Sequence, residues 1–243
     1  MKSKKSTRMK QLLKAVIPKP LLNLRHLFYA WRGSVTYKHP SKELFVIGIT
    51  GTSGKSSTVS FIRQLLESAG LRVGYLSTVD FYIAGEDQLN DQKMTMLGKM
   101  QIQKYLREMV DKQCDVAIVE TTSEGRVQHR HRFINYDMML LTNFYPEHIE
   151  SHGSFEKYKQ AKLDIFEYVA GLKRKKGSIL KKDSLKQLQN KDGLIPKVSV
   201  VNGDIDQANE FLSYPFDTQY TFGKEDRRKD MFLLKNREIS KEG

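Results

Sequence analysis

Residues 44–58, LFVIGITGTSGKSST, set an apolar, β-branched run directly against a glycine-containing loop and a lysine. A run this short, followed at once by glycine, fits a strand buried on both faces better than a helix. Behind the loop, Thr58, Ile62, Leu65, Leu66 and Ala69 recur at helical spacing, and Gly70 stands where a helix C-cap is expected. The alternation of strand and helix continues along the chain, with no internal repeat. Strands are expected over 72–78, 116–121, 138–142, 197–202 and 219–222, and helices over 98–112 and 154–169. Such alternation calls for right-handed crossovers and a parallel sheet covered on both faces. The expected fold class is therefore α/β, a mostly parallel sheet built around a phosphate loop. The signal weakens beyond residue 171: the basic run 173–176 reads as a solvated face, and 224–243 is too charged to assign.

The loop itself carries chemistry. Gly51, Thr52, Ser53, Gly54, Lys55, Ser56 and Ser57 lie between strand and helix, the context a phosphate loop requires. Glycines let the backbone approach phosphates, and the amides at the helix start point at them along a favourable dipole. Lys55 is expected to neutralise the β and γ phosphates, and Ser56 to place its hydroxyl on Mg²⁺. Ile49 occupies the position where the strict spacing asks for glycine. A guanine-reading Asn-Lys-x-Asp run is not matched by Asn190-Lys191-Asp192-Gly193, which tilts against GTP and leaves kinases and ligases open.

Two further segments hold polar groups at strand ends, where open α/β sheets place ligands. Glu120, in VETTSEG, can hold Mg²⁺ directly or through water. Residues 146–153 contain Glu147, His148, Glu150 and His152; taken alone they also read as a transition-metal loop, without the spacing of a known zinc motif.

The net charge of +13 is unevenly spread. Residues 1–42 hold eleven Lys or Arg and no acid, which leaves 30 basic against 28 acidic residues in the remaining 201. The body therefore lacks the broad basic face of a nucleic-acid binder. Pro18, Lys19, Pro20 and Arg25 interrupt the arm's apolar residues, so it fits neither a secretory signal nor a spanning helix. Two readings of the arm stand level: contact with an anionic lipid surface, or packing against the domain with a solvated basic face. The single cysteine, Cys114, excludes an intrachain disulfide and suits a reducing cytoplasm.

GITGTSGKSST, VETTSEG, the LLTN strand end, EHIESHG and YKQAK, in this order, resemble the Mur ligase family, over residues 44–170 most firmly. RVQHR at 126–130 narrows the resemblance to the members that add the third residue to UDP-N-acetylmuramoyl-dipeptide. The resemblance implies ATP and Mg²⁺ as cofactors, and UDP-N-acetylmuramoyl-dipeptide and an amino acid as substrates. The reaction it implies is ATP-dependent amide formation through an acyl phosphate, in peptidoglycan precursor synthesis. It implies that residues 51–57 bind ATP and that Glu120 and His148 help hold Mg²⁺. Lys162 would be carbamylated and bind a second Mg²⁺, while Thr95, Thr122, Gln128 and Arg130 would grip the precursor. Glu147 stands where aspartate is usual, Thr122 where serine is usual, and Thr95-Met96-Leu97 where a Thr-Thr-Pro run is frequent. The expected organisation is a basic arm, 1–42, and a catalytic domain, 43–243. The family's amino-terminal uridine-binding domain and carboxyl-terminal amino-acid domain lie outside it, and three readings of this stand open: a fragment, a split enzyme whose separate partner carries the latter domain, or a natural short form. A folylpolyglutamate-type ligase or a precursor-binding accessory module is the alternative.

Overall fold

The computed structural model describes residues 19–90, 95–147 and 153–223, with side chains from residue 21, and the backbone of 231–233. Its first strand, β1 (Phe45–Thr50), is buried at all six positions. Phe45, Ile47 and Ile49 enter one core and Val46 the other. β5 (Val116–Glu120) divides in the same way, with Val116 and Ile118 on one face and Ala117 and Val119 on the opposite face. Side chains alternate across a strand, so apolar layers on both sides require an unbroken apolar run.

The other strands are β2 (Val73–Leu76), β3 (Asp80–Ile83), β4 (Glu86–Leu89), β6 (Met138–Leu141), β7 (Val198–Asn202), β8 (Thr218–Gly223) and β9 (Met231–Leu233). Together the described strands form one sheet in the order β4-β3-β2-β5-β1-β6-β7-β8-β9. From β2 to β9 all neighbours are parallel, and β3 and β4 extend the edge as an antiparallel hairpin. The chain leaves β1 for β2, returns to β5 beside β1, then crosses to β6 on its far side. The carboxyl end of β1 is thus the switch point, where an open α/β sheet leaves a crevice.

Helices cover both faces. α1 (Lys19–Thr36) precedes the sheet, and α2 (Lys55–Ser68) covers one face through Val59, Ile62 and Leu66. The opposite face is covered by α3 (Lys99–Asp111), through Ile102, Leu106 and Met109, and by α5 (Phe155–Ala170), through Ile165, Phe166 and Val169. Burying each such side chain contributes about 1.5–3 kcal/mol. A short helix, α4 (Ser123–Val127), follows β5. Two one-turn helices, α6 (Asp183–Lys186) and α7 (Ala208–Phe211), lie between later strands.

The observed elements fall within a few residues of those the pattern predicts, but the strand expected over 72–78 ends at Leu76. Its continuation turns into the hairpin, which the pattern does not announce. The turn is Ala84-Gly85, both at positive φ (53° and 103°), as a two-residue hairpin turn demands, and Ala-Gly is a weak signal for it.

α1 buries Ala30, Gly33 and Ser34. A Cβ built on Gly33 would lie 3.1 Å from the Met100 backbone of α3, so the helices approach closely there. Arg107 of α3 donates from Nε to the Tyr37 carbonyl at 3.0 Å, holding the chain that follows α1. Leu21, Leu24, Phe28 and Trp31 are exposed. Among the described residues, no helix is long and apolar enough to cross a membrane.

Candidate active site

The loop leaving β1 is bound to the end of β6. Asn143 Oδ1 accepts from the backbone amides of Thr52 (3.1 Å) and Ser53 (2.9 Å), and Nδ2 donates to the Ser53 carbonyl at 3.1 Å. Gly51 has φ +153°, and a Cβ there would fall 1.9 Å from Thr142 Oγ1. Only a residue without a side chain allows this approach of loop and strand.

Lys55, the first residue of α2, folds back so that Nζ donates to the carbonyls of Gly51 (3.1 Å) and Thr52 (3.0 Å). Burial lowers its pKa against the opposing pull of Glu120 and Glu147. Ser56 Oγ donates to Glu120 Oε2 at 3.0 Å. Glu120 is 1% exposed, and its burial is compensated by two further donors, the Thr78 amide and hydroxyl, each at 2.9 Å. A hydroxyl and a carboxylate side by side under a phosphate loop suit Mg²⁺, a hard cation bound through one or two carboxylates plus phosphate oxygens. These two residues therefore fit the ion. Among the described residues, no group of three or more His, Cys, Asp or Glu could hold a metal on its own.

Lys162 comes from α5 and is 2% exposed. Its Nζ donates to the Gly51 carbonyl at 2.9 Å and lies 5.0 Å from the centre of the Tyr158 ring, one helical turn earlier. Burial, helped by the charge of Lys55 and opposed by Glu147, pushes it down to about 7. A large share is then neutral amine at neutral pH. The Tyr158 hydroxyl lies 3.0 Å from Thr52 Oγ1, and burial pushes it up to about 12.

One cavity of about 290 Å³ joins these groups to the predicted precursor residues: Lys55 and Lys162 line it together with Thr95, Thr122 and Arg130. Thr122 caps α4, its hydroxyl accepting from the Gly125 amide at 3.0 Å. Arg130 donates to the Met96 carbonyl and, from Nε and Nη2, to Gln128 Oε1 at 3.2 and 2.7 Å. Gln128 thus bonds to Arg130 and is not among the cavity's walls. Nor is Glu120, which lies beneath the loop. His148 lies outside the described residues, as do Glu150 and His152; Glu147 is exposed at the last described position before them.

Sequence reasoning passes over Asn143, Thr78, Tyr158 and Glu124. Tyr158 has a readable signal, since it precedes Lys162 by four residues and must share its helix face. Asn143 and Thr78 have none, because their partners are about 90 and 42 residues away in the chain.

The Mur ligase middle domain, as a family model, matches residues 49–243. A UDP-N-acetylmuramyl-tripeptide synthetase of Treponema pallidum is 40% identical over 132 residues, 54% of this chain and 24% of that protein. A UDP-N-acetylmuramoyl-L-alanyl-D-glutamate–2,6-diaminopimelate ligase of Chlamydia caviae is 31% identical over 189 residues, 78% of this chain and 34% of that protein. Among solved structures, a ligase of the latter name superposes with TM-score 0.56 at 22% identity, covering 76% of this chain and 33% of that one. Folylpolyglutamate synthase of Mycobacterium tuberculosis, complexed with ADP, gives TM-score 0.54 at 17% identity, covering 89% and 50%. At these identities the structures show a shared fold. The chain spans about a quarter to a third of the length of these curated relatives.

Proposed function

The chain belongs to the Mur ligase middle-domain family, and from that premise we propose that it is the ATP-binding part of an amide ligase that activates the carboxylate of UDP-N-acetylmuramoyl-dipeptide. The observation that carries the proposal is the cavity at the loop. It sets Lys55 and Lys162 beside Arg130, Thr95 and Thr122, so a phosphoryl donor and an acceptor carboxylate can meet within it.

In this reading residues 51–57 bind the phosphates of ATP. A carboxylate oxygen of the acceptor attacks the γ-phosphorus, the bond to the bridging oxygen breaks, and ADP leaves. An amino acid's amine then attacks the acyl carbon, and the carbon–oxygen bond to phosphate breaks as the amine loses its proton. Lys55 neutralises charge on the transferring group, while Arg130, oriented by Gln128, Thr95 and Thr122 positions the acceptor. Ser56 and Glu120 would hold Mg²⁺, which when bound supplies positive charge to the phosphates. Lys162, with an amine poised to take up CO₂, fits the carbamylated ligand that the resemblance implies; His148, the further ligand the resemblance implies, lies outside the described residues. Residues 43–243 act as the catalytic domain and residues 1–42 as its arm, in the cytoplasm. Arg130 in the cavity wall, bonded to Gln128 of the same RVQHR run, favours the muramoyl acceptor over a folate-type acceptor.

The test is phosphate release from ATP and Mg²⁺ by the purified chain, with and without UDP-N-acetylmuramoyl-dipeptide, with hydroxylamine to trap an acyl phosphate. Stimulated release and a trapped hydroxamate are expected, both falling about 10²-fold or more in Lys55→Ala. Release that ignores the precursor, or survives Lys55→Ala, overturns the reading.

A further inference from the structure

α1 has two unlike faces. On the inner one, Gly33 meets the Met100 backbone of α3, and Lys99 Nζ, from the first residue of α3, donates to His26 Nδ1 at 2.8 Å. On the outer one, Leu21, Leu24, Phe28, Trp31 and Val35 are between 45% and 63% exposed. These positions are alternately three and four residues apart, so they form one stripe along the helix. The Phe28 ring lies 5.9 Å from that of Trp31 and 5.8 Å from that of Tyr29, and Leu21, Leu24, Phe28 and Tyr29 line a groove of about 550 Å³. A continuous apolar stripe left in water marks an interaction surface.

The charge beside the stripe decides which partner it fits. Arg25 and Arg32 are exposed, each next in sequence to a stripe residue, and α1 contains no Asp or Glu. In a coiled coil of two copies these arginines would occupy the flanking positions whose charges set partner choice, and α1 offers them no acid to meet. An anionic bilayer complements both features, with an acyl boundary for the stripe and a negative surface potential for the cations. No described helix is long and apolar enough to cross a membrane, so α1 would lie along the surface. Packing against α3 forms the helix before it meets lipid, so binding avoids the cost of nucleating it.

We propose that the outer face of α1 docks the chain on an anionic lipid surface. Leu21, Leu24, Phe28 and Trp31 enter the boundary between headgroups and acyl chains, while Arg25 and Arg32 meet lipid phosphates. The contact is made by a helix fixed to the domain through Gly33 and His26, so the domain is held at the surface in one orientation. The docking face stands apart from the proposed function and needs neither ATP nor an acceptor.

Trp31 is the single tryptophan of the chain and reports on this face directly. The test titrates the full chain with phosphatidylcholine vesicles, with and without phosphatidylglycerol, and follows tryptophan emission. With anionic vesicles the emission is expected to move to shorter wavelength and to lose access to acrylamide; with neutral vesicles it stays unchanged. Phe28→Glu, which keeps the reporter, and Arg25→Glu with Arg32→Glu are each expected to raise the lipid concentration at half-maximal shift about tenfold or more, whereas Phe28→Leu retains binding. All three positions are exposed, so a melting temperature equal to that of the wild type checks that the variants fold. No shift in the wild type, an equal shift with neutral vesicles, or a shift that Phe28→Glu and the arginine variant leave unchanged overturns the proposal. A blue-shifted emission without vesicles, growing with protein concentration and lost in Phe28→Glu, also overturns it and assigns the face to a second copy.

Discussion

His131 is 3% exposed, its ring edge-on to Tyr168 at a centroid distance of 4.9 Å, and its Nδ1 has no hydrogen-bond partner among the described residues. Burial, reinforced by Arg132 and Arg126, pushes it down to about 3. The unfolded chain takes up this proton near 6.5 and the folded chain near 3. Between those values the unfolded state binds more protons, so stability is full above 6.5 and is lost as pH falls. At pH 5 the loss is about 2 kcal/mol. Thermal melts at pH 7.5 and pH 5 are expected to differ less for His131→Phe than for wild type; an equal pH dependence would show that His131 is not held neutral. At this scale the phosphate loop is readable because Lys55 and Ser56 are covalent neighbours of the glycines they work with. The same reading leaves Asn143 a mere strand-end residue, since its role depends on β6 lying beside β1.

α1 shows what an element's pattern can and cannot say. Its residues read as an interleaved basic and apolar arm, and the structure packs one face of it against α3. Ala30, Gly33 and Ser34 are buried, Gly33 against α3, while Leu21, Leu24, Phe28 and Trp31 are exposed, as are Arg25 and Arg32. With eleven cations and no acid over residues 1–42, the outward face suits an anionic lipid surface. The full chain is expected to sediment with vesicles containing anionic lipid, and Phe28→Glu with Trp31→Glu to abolish this without lowering the melting temperature. Sedimentation unchanged in that double variant would count against the surface. The buried strands were legible for a plain reason: a strand covered on both faces must be apolar throughout. The β3–β4 hairpin was not, because β4 is exposed at all four positions and its turn lacks the usual residues.

At the scale of the whole molecule, Asp137 is fully buried between two lysines and ties together segments far apart in sequence. Its Oδ2 accepts from the Val46 amide at 2.9 Å and from Lys175, and its Oδ1 accepts from Lys197 at 3.2 Å. Lys175 also donates to the Leu44 carbonyl at 2.7 Å. β1, the start of β6, the chain after α5 and the chain before β7 meet at this one carboxylate. Asp137→Ala leaves two lysines buried without their counter-charge and is expected to cost about 3–5 kcal/mol, read from urea denaturation. A change under about 1 kcal/mol would mean that water or other groups replace it. Nothing in the residues around 137, 175 and 197 announces this centre. What the sequence by itself determined is local: the apolar runs, the helical periods and the loop chemistry, since each depends on residues a few positions apart. The strand order, the cavity joining Lys55 to Arg130 and the Asp137 centre were decided by the tertiary structure alone. Each requires that packing bring together groups tens of residues apart, and the contribution of each contact depends on burial that exists only once the chain has folded.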